Sequence, residues 1–272
     1  MDLEKEKAYA PAALTAGSSL FTNERRQQIA HILGEQQRVT VPALSQLFSV
    51  SEVTIRKDLA WLEAHHFAVR THGGAVLATS HSLEMGFDTR EKLQHNEKER
   101  IGAAAASYVL DGETIALDAS TTALAMTQYL KAKRELTVVT NGLRIGMELI
   151  NTPGISVLIP GGMLRHESFS LIGTWGKSVL QQVHISKAFV GARGFSPIEG
   201  LTDVNGEEVE LKRAIVEAAK EVIAIVDHSK WGHLAFATFC PLERLKLIIT
   251  DAKAPADMVE QVRSQGIEVW IA

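Results

Sequence analysis

Four short polar runs each follow a stretch of apolar residues: DASTT (118–122), TNG (140–142), PGGMLR (160–165) and DHSK (227–230). Their chemistry suits an anion. Ser120, Thr121 and Thr122 open a helical pattern just after Asp118, so their hydroxyls and the first backbone N–H groups could cradle a phosphate. Asn141 ends the second run, Gly161 and Gly162 give Arg165 a flexible approach, and Asp227 and Lys230 bound the fourth. Any one cluster reads equally well as a turn between a strand and a helix. Four on one sheet edge describe a polar pocket for a phosphorylated polyol or sugar. A fifth run, GLTDVNGEEVELKR (200–213), adds Asp203, Asn205, Glu208, Lys212 and Arg213 where a loop meets a helix. There Glu208 and Lys212 also have the spacing of an ordinary i,i+4 salt bridge, and Asp203 and Asn205 stand where caps stand.

A different chemistry is offered by VSEVTIRKDLAWLE (50–63). Ser51 is a helix cap, and Ile55, Leu59 and Leu62 form one buried stripe. Glu52, Thr54, Arg56 and Lys57 fall largely outside that stripe, near the helix start. In a DNA groove Arg56 and Lys57 would reach phosphates or guanine edges, and Thr54 would offer a hydroxyl and a methyl. The competing reading is an amphipathic helix of a plain interaction module.

The elements around these residues set their positions. Asn23 to Leu33 predicts a helix stopped by Gly34, and Thr40 caps a second over VPALSQLF, with Ala43, Leu44, Leu47 and Phe48 inward. FAVRTHGGAVL predicts a hairpin turning at Gly73-Gly74, with Arg70 and His72 on it. Three short helices and a hairpin make a winged helix-turn-helix. Beyond the polar stretch 80–100, apolar strands at 114–118, 136–140, 155–160, 187–192, 222–226, 246–250 and 267–271 alternate with helical segments. Such alternation specifies a parallel sheet covered on both faces, with ligands beyond the strands' carboxyl ends.

The bulk numbers bound the rest. At 272 residues, 46% hydrophobic and 22% charged, the chain can bury a core as one large or two ordinary domains. No apolar window is long enough for a membrane span. The lone Cys240 excludes an intrachain disulfide and a cysteine zinc site, and points to a cytoplasmic protein. Net charge is −4, but residues 20–80 hold six Lys/Arg against five acids, whereas residues 81–272 hold 20 against 24. DNA binding by so weakly basic a piece would use a few placed contacts in a dimer or larger assembly.

Several motifs fail. GTWGKS (173–178) lacks the first glycine of a P-loop, where Leu171 stands, and follows no convincing strand. HES (166–168) lacks a second histidine, His65-His66 has no paired ligands, and no G-x-G-x-x-G follows the first strand. Neither metal nor cofactor is expected.

The chain resembles the DeoR-type bacterial transcriptional regulators. SEVTIRKDLAWLE with VRTHGGAVL is similar to that family's helix-turn-helix and wing, and LDASTT, VVTNGL, IPGGMLR, GLTDVNGEEVELKR and VDHSKWG to its effector domain. The resemblance covers roughly residues 22–272. It implies a repressor of carbohydrate use that leaves double-stranded operator DNA when a phosphorylated sugar or derivative binds. It also implies a C-terminal domain with the fold of ribose-5-phosphate isomerase-like proteins that helps to oligomerise the chain as a dimer or tetramer. Serine stands at 120 where the family often has glycine, adding a hydroxyl or narrowing the pocket. Isomerases of this fold carry an acidic pair where VGARGF (190–195) has no carboxylate, which favours sensing over turnover. The expected organisation is therefore a leader (1–21), a winged helix-turn-helix domain (22–79), and a larger α/β effector-sensing and oligomerisation domain (80–272) that begins with the linker. An isomerase-like enzyme with an appended interaction domain is the alternative.

Overall fold

A computed structural model describes residues 22–36, 38–64, 68–77 and 85–272. The expected leader, His65-His66 and the start of the interdomain connection lie outside them. The chain divides into two compact units between Ala78 and Thr79.

In the first unit the order is α1 (Thr22–Gln36), β1 (Arg38–Thr40), α2 (Val41–Phe48), α3 (Glu52–Ala64), β2 (Ala68–Thr71) and β3 (Gly74–Leu77). Thr40 Oγ1 accepts from Ala43 N at 3.4 Å and caps α2, while Ser49 ends it in the left-handed region at φ 53°. Ser51 Oγ accepts from Thr54 N at 3.2 Å and caps α3. Ile29, Leu33, Leu44, Ile55, Leu59 and Leu62 are buried together. Two charged groups join them, Asp58 and Arg25: Asp58 accepts from Arg25 Nε at 2.6 Å and from the half-buried Arg26 Nε at 2.9 Å, tying α1 to α3.

Three local expectations change. Helix α1 runs through Gly34 to Gln36; about 1 kcal/mol of glycine penalty does not end a helix held by packing. On α2 the inner face is Val41, Leu44 and half-buried Phe48, at i, i+3 and i+7, whereas Ala43 and Leu47 are exposed. The hairpin turns at His72-Gly73, because Thr71 pairs with Gly74. Gly74 belongs to a strand that β1 crowds on its other side: a Cβ there would lie 1.9 Å from Val39 O. Strand β1, unforeseen at three residues, completes a sheet of order β1-β3-β2.

The second unit continues as α4 (Phe87–Lys92), α5 (His95–Ser107), β4 (Thr114–Leu117), α6 (Thr121–Leu130), β5 (Leu136–Thr140), α7 (Leu143–Leu149) and β6 (Ile155–Leu158). Next come β7 (Met163–Arg165), β8 (Ser170–Ile172), α8 (Thr174–Leu180), β9 (Ile185–Val190), β10 (Gly194–Ser196), β11 (Gly200–Asp203) and α9 (Gly206–Ala218). The chain ends with β12 (Ala219–Ile225), β13 (Ala237–Cys240), β14 (Leu245–Thr250), α10 (Ala256–Ser264) and β15 (Glu268–Ile271).

All seven strands expected from apolar runs meet in one parallel sheet of order β15-β14-β12-β9-β4-β5-β6. Alternate residues feed opposite faces. Ile115, Leu117, Phe189, Ile223 and Ile225 pack under α5, α6 and α7; Ala116, Ala188, Val190, Val222 and Ala224 pack under α8, α9 and α10. From β4 the chain proceeds outward through β5 and β6, and from β9 through β12, β14 and β15. The direction of winding reverses between β4 and β9, which is where such a sheet opens a crevice. Two smaller pieces escaped sequence reading, the β7–β8 hairpin and the antiparallel sheet β10-β11-β13. GTWGKS does follow a strand, β8, but α8 has seven residues and begins only after Gly173.

Candidate functional site

Each unit carries one candidate site. In the first, Glu52, Arg56 and Lys57 are exposed on the opening turns of α3, and Arg70 and His72 are exposed on the hairpin. The polar groups at the helix start are engaged with each other. Arg56 Nη2 donates to Glu52 Oε2 at 2.6 Å one turn away, and the Ser51 and Thr54 hydroxyls lie 2.9 Å apart. Both pairs are solvent-facing and worth about 0–1 kcal/mol, so a phosphate or base edge can exchange for them.

In the second, the carboxyl ends of β4 and β9 converge with α9. Lys212, on α9, donates to Asp203 Oδ2 at 2.6 Å and Gly191 O at 3.0 Å, and its ammonium forms an ion pair with Asp118 Oδ2 at 2.9 Å. Asp118 Oδ2 also accepts from Gly191 N at 3.0 Å, locking the end of β4 to the loop after β9. Burial opposes the charge on Lys212, yet the carboxylates of Asp118, Asp203 and Glu208 raise its pKa above the ordinary lysine value. Asp203 is likewise penalised by burial but held low by Lys212 and Arg193, whose Nε lies 3.8 Å from it. Glu208 pairs with Arg165, which also donates to Ser168 Oγ at 3.2 Å. Thus Lys212 binds the two sheet-edge carboxylates, and Asn205 alone caps α9, accepting from Glu207 N and Glu208 N at 3.1 Å.

Ser120 caps α6, its Oγ accepting from Ala123 N at 3.1 Å, and its N–H reaches Asp118 Oδ1 at 3.3 Å. Thr121 and Thr122 are buried in the first turn, with backbone N–H groups that have no acceptor within the helix. Thr121 also walls a cavity of about 180 Å³ between α5 and α6, together with Lys98, Leu124 and Gln128. Gly161 and Gly162 have φ of +83° and +131°, and a Cβ on Gly162 would stand 2.2 Å from Ile172 O, so they serve the close turn into β7–β8. Asn141 and Asp227 end β5 and β12. Asn141 Nδ2 donates to Leu171 O at 3.3 Å, and Asp227 Oδ1 accepts from Ser229 N at 2.9 Å. Among the described residues, the remaining oxygens, Asn141 Oδ1 and Asp227 Oδ2, are buried and have no hydrogen-bond partner. Burial disfavours the Asp227 carboxylate, but Lys230 and Lys98 hold its pKa below the usual range.

Sequence reasoning missed Gly191, Arg193, the His228–Asp251 pair (Nδ1 to Oδ1, 3.0 Å) and Lys98. Lys98 was detectable: it lies on the stripe of Ile101 and Ala105, where a charge must find partners. Its ammonium donates to the carbonyls of Arg90 and Leu93 across the break between α4 and α5. Burial pushes its pKa down to about 7, against the pull of Asp227. An unfolded lysine keeps its proton to about pH 10.4. Between about 7 and 10 the unfolded chain therefore binds more protons, so stability rises with pH and is lost as pH falls through 7. Lys98→Met should flatten that slope in denaturant titrations at pH 7 and pH 9; an unchanged slope would contradict it.

An exposed helix start beside a hairpin in one unit, and a buried polar network at the switch point of a parallel sheet in the other, are the two candidate sites. Residues 25–81 match the DeoR-like helix-turn-helix domain and residues 93–252 the DeoR C terminal sensor domain. The chain belongs to the DeoR family of transcriptional regulators. It is 39% identical over 253 residues to the HTH-type transcriptional regulator GolR of Listeria innocua, covering 93% of this chain and all of that one. It is 34% identical to the transcriptional repressor GlcR of Bacillus subtilis, over 93% of this chain and 97% of the other. With the glycerol-3-phosphate regulon repressor of Escherichia coli K12 it shares 30% over 90% and 97% of the two chains. Among solved structures, ribose 5-phosphate isomerase A of Methanocaldococcus jannaschii aligns at 17% identity and TM-score 0.38, over 50% of this chain and 54% of that one. No helix among the described residues is long and apolar enough to cross a membrane.

Proposed function

We propose that the chain represses a carbohydrate-utilisation operon in the cytoplasm as a homo-oligomer, and that a phosphorylated sugar or sugar derivative releases it from its operator. The observation that carries this reading is the pair of buried, unpartnered acceptors, Asn141 Oδ1 and Asp227 Oδ2, just beyond the carboxyl ends of β5 and β12, the strands that flank β4 and β9. Buried acceptors without donors are costly, and the hydroxyl groups of a polyol are donors. The N-terminus of α6 opens from the same edge and favours a negative charge, so a phosphate there and hydroxyls at the flanks use both features. The naming of relatives after an aga operon and a glycerol-3-phosphate regulon agrees with this ligand class. Turnover finds little support: Asp203 is committed to Lys212 and Arg193, and Glu208 to Arg165, so no carboxylate in this network is a ready proton acceptor.

Release requires that the ligand prefer the state that binds DNA poorly; a hundredfold loss of operator affinity needs about 2.7 kcal/mol of differential binding. The test is thermal unfolding of the full chain with a panel of sugar phosphates and their unphosphorylated sugars. One phosphorylated compound should stabilise the protein, by about 2.7 kcal/mol at a hundred times its Kd. Thr121→Glu, which brings a negative charge to the cradle, should abolish that stabilisation and spare DNA binding. A normal response in this variant would place the phosphate elsewhere.

A further inference from the structure

We infer that Val53 is a base-reading residue of α3, and that its side chain packs on the 5-methyl group of a thymine in each operator half-site. The inference rests on the DNA-binding role of the first unit and not on the identity of any effector.

At roughly 100° per residue, the core stripe Ile55, Leu59 and Leu62 leaves Val53, Lys57 and Ala60 on the opposite pole of the helix. Arg56 and Glu52 lie on one flank of that pole, joined at 2.6 Å, and Thr54 lies on the other with its hydroxyl on Ser51. The residue facing outward in the first turn is therefore an aliphatic one. Val53 is 58% exposed, more than Val69 (43%), Leu47 (37%) or Val76 (36%), the other exposed large apolar residues described in this unit. Folding gives no reason for it: valine is a poor helix former, and this one packs against little of its own chain. A helix that enters the major groove presents its N-terminal side chains to base edges, and the thymine methyl is the apolar feature of that groove. Lys57, one turn further along the same pole, is then placed for a phosphate or a guanine edge, and the small Ala60 lets the helix approach closely.

The two residues should leave different signatures. Burying one methyl group is worth about 0.8 kcal/mol, or roughly fourfold in affinity per half-site. An apolar contact releases no counterions, whereas a phosphate contact contributes about 0.9 to the slope of log affinity on log salt.

The experiment selects sites from random duplex DNA with the full chain, then measures binding to the selected duplex with each thymine replaced in turn by uracil, which lacks the methyl. Wild-type protein should lose about fourfold per half-site at one thymine position. Val53→Ala should bind the thymine duplex that much more weakly, be indifferent to uracil at that position, and keep the wild-type salt slope. Lys57→Ala should lower the slope by about one unit while retaining the uracil effect. If Val53→Ala stays as sensitive to uracil as the wild type at every position, or if no thymine matters to the wild type, the assignment is wrong. The uracil substitution alters no residue of the protein, so its effect on the wild type cannot arise from a folding defect.

Discussion

Replacing Lys212 with methionine should destabilise the sensor unit by about 3–5 kcal/mol, the range found when one partner of a buried ion pair is removed. The reason is geometric. Lys212 is 3% exposed and joins three separated pieces of chain: Asp118 after β4, the Gly191 carbonyl after β9, and Asp203 at the end of β11. Methionine fills a similar volume but leaves two carboxylates, at 0% and 2% exposure, without the ammonium between them, and Asp203 then faces only the more distant Arg193 Nε at 3.8 Å. Adding Asp203→Asn to Lys212→Met should cost less than the sum of the two single changes, since the second removes a charge stranded by the first. Denaturant unfolding of the four chains measures this. A loss below about 1 kcal/mol, or strict additivity, would mean that the network does not hold the crevice together.

The second large effect concerns the crevice itself. Gly191 has room for a hydrogen and little more: a Cβ would lie 2.5 Å from Ser120 Cβ and 2.6 Å from Ser120 Oγ. Gly191→Ala should therefore cost about 1–3 kcal/mol by overpacking and push the α6 N-terminus away from its place beside Asp118. The relief is specific. Ser120→Gly opens that space and, as a change of cap to glycine, costs only about a few tenths of a kcal/mol itself. The double variant should be more stable than Gly191→Ala alone. If it is no better, the glycine is required by something other than Ser120. Ser120 thus acts both as the cap of α6 and as the wall that Gly191 packs against.

These residues also show what was readable in advance. The seven parallel strands were legible because each is a short, nearly unbroken apolar run between turn signals, and burial on both faces demands that composition. The polar strand ends were legible for the same reason. The partners were not. Glu208 and Lys212 have the spacing of a local pair, yet the two carboxylates bound to Lys212 come from positions 118 and 203, and Glu208 turns to Arg165. Sequence spacing reports neighbours on one helix, not which carboxylates a sheet edge delivers to it. Strands β1, β7, β8 and β10 have three residues each, too few for a period of two to show. On α3 the stripe was correct, but attention to charge passed over Val53, because an exposed aliphatic residue is informative only once its exposure is known.

The central claim is that one chain joins an operator-reading helix to a sugar-phosphate sensor. Its most direct test is capture of fragments from the protein's own genome at fixed moderate salt, repeated with each member of a sugar-phosphate panel. The account predicts that a few fragments are retained above competitor DNA and that one phosphorylated compound releases them. Retention that no phosphorylated compound alters, or no selection of fragments by well-folded protein, would contradict it.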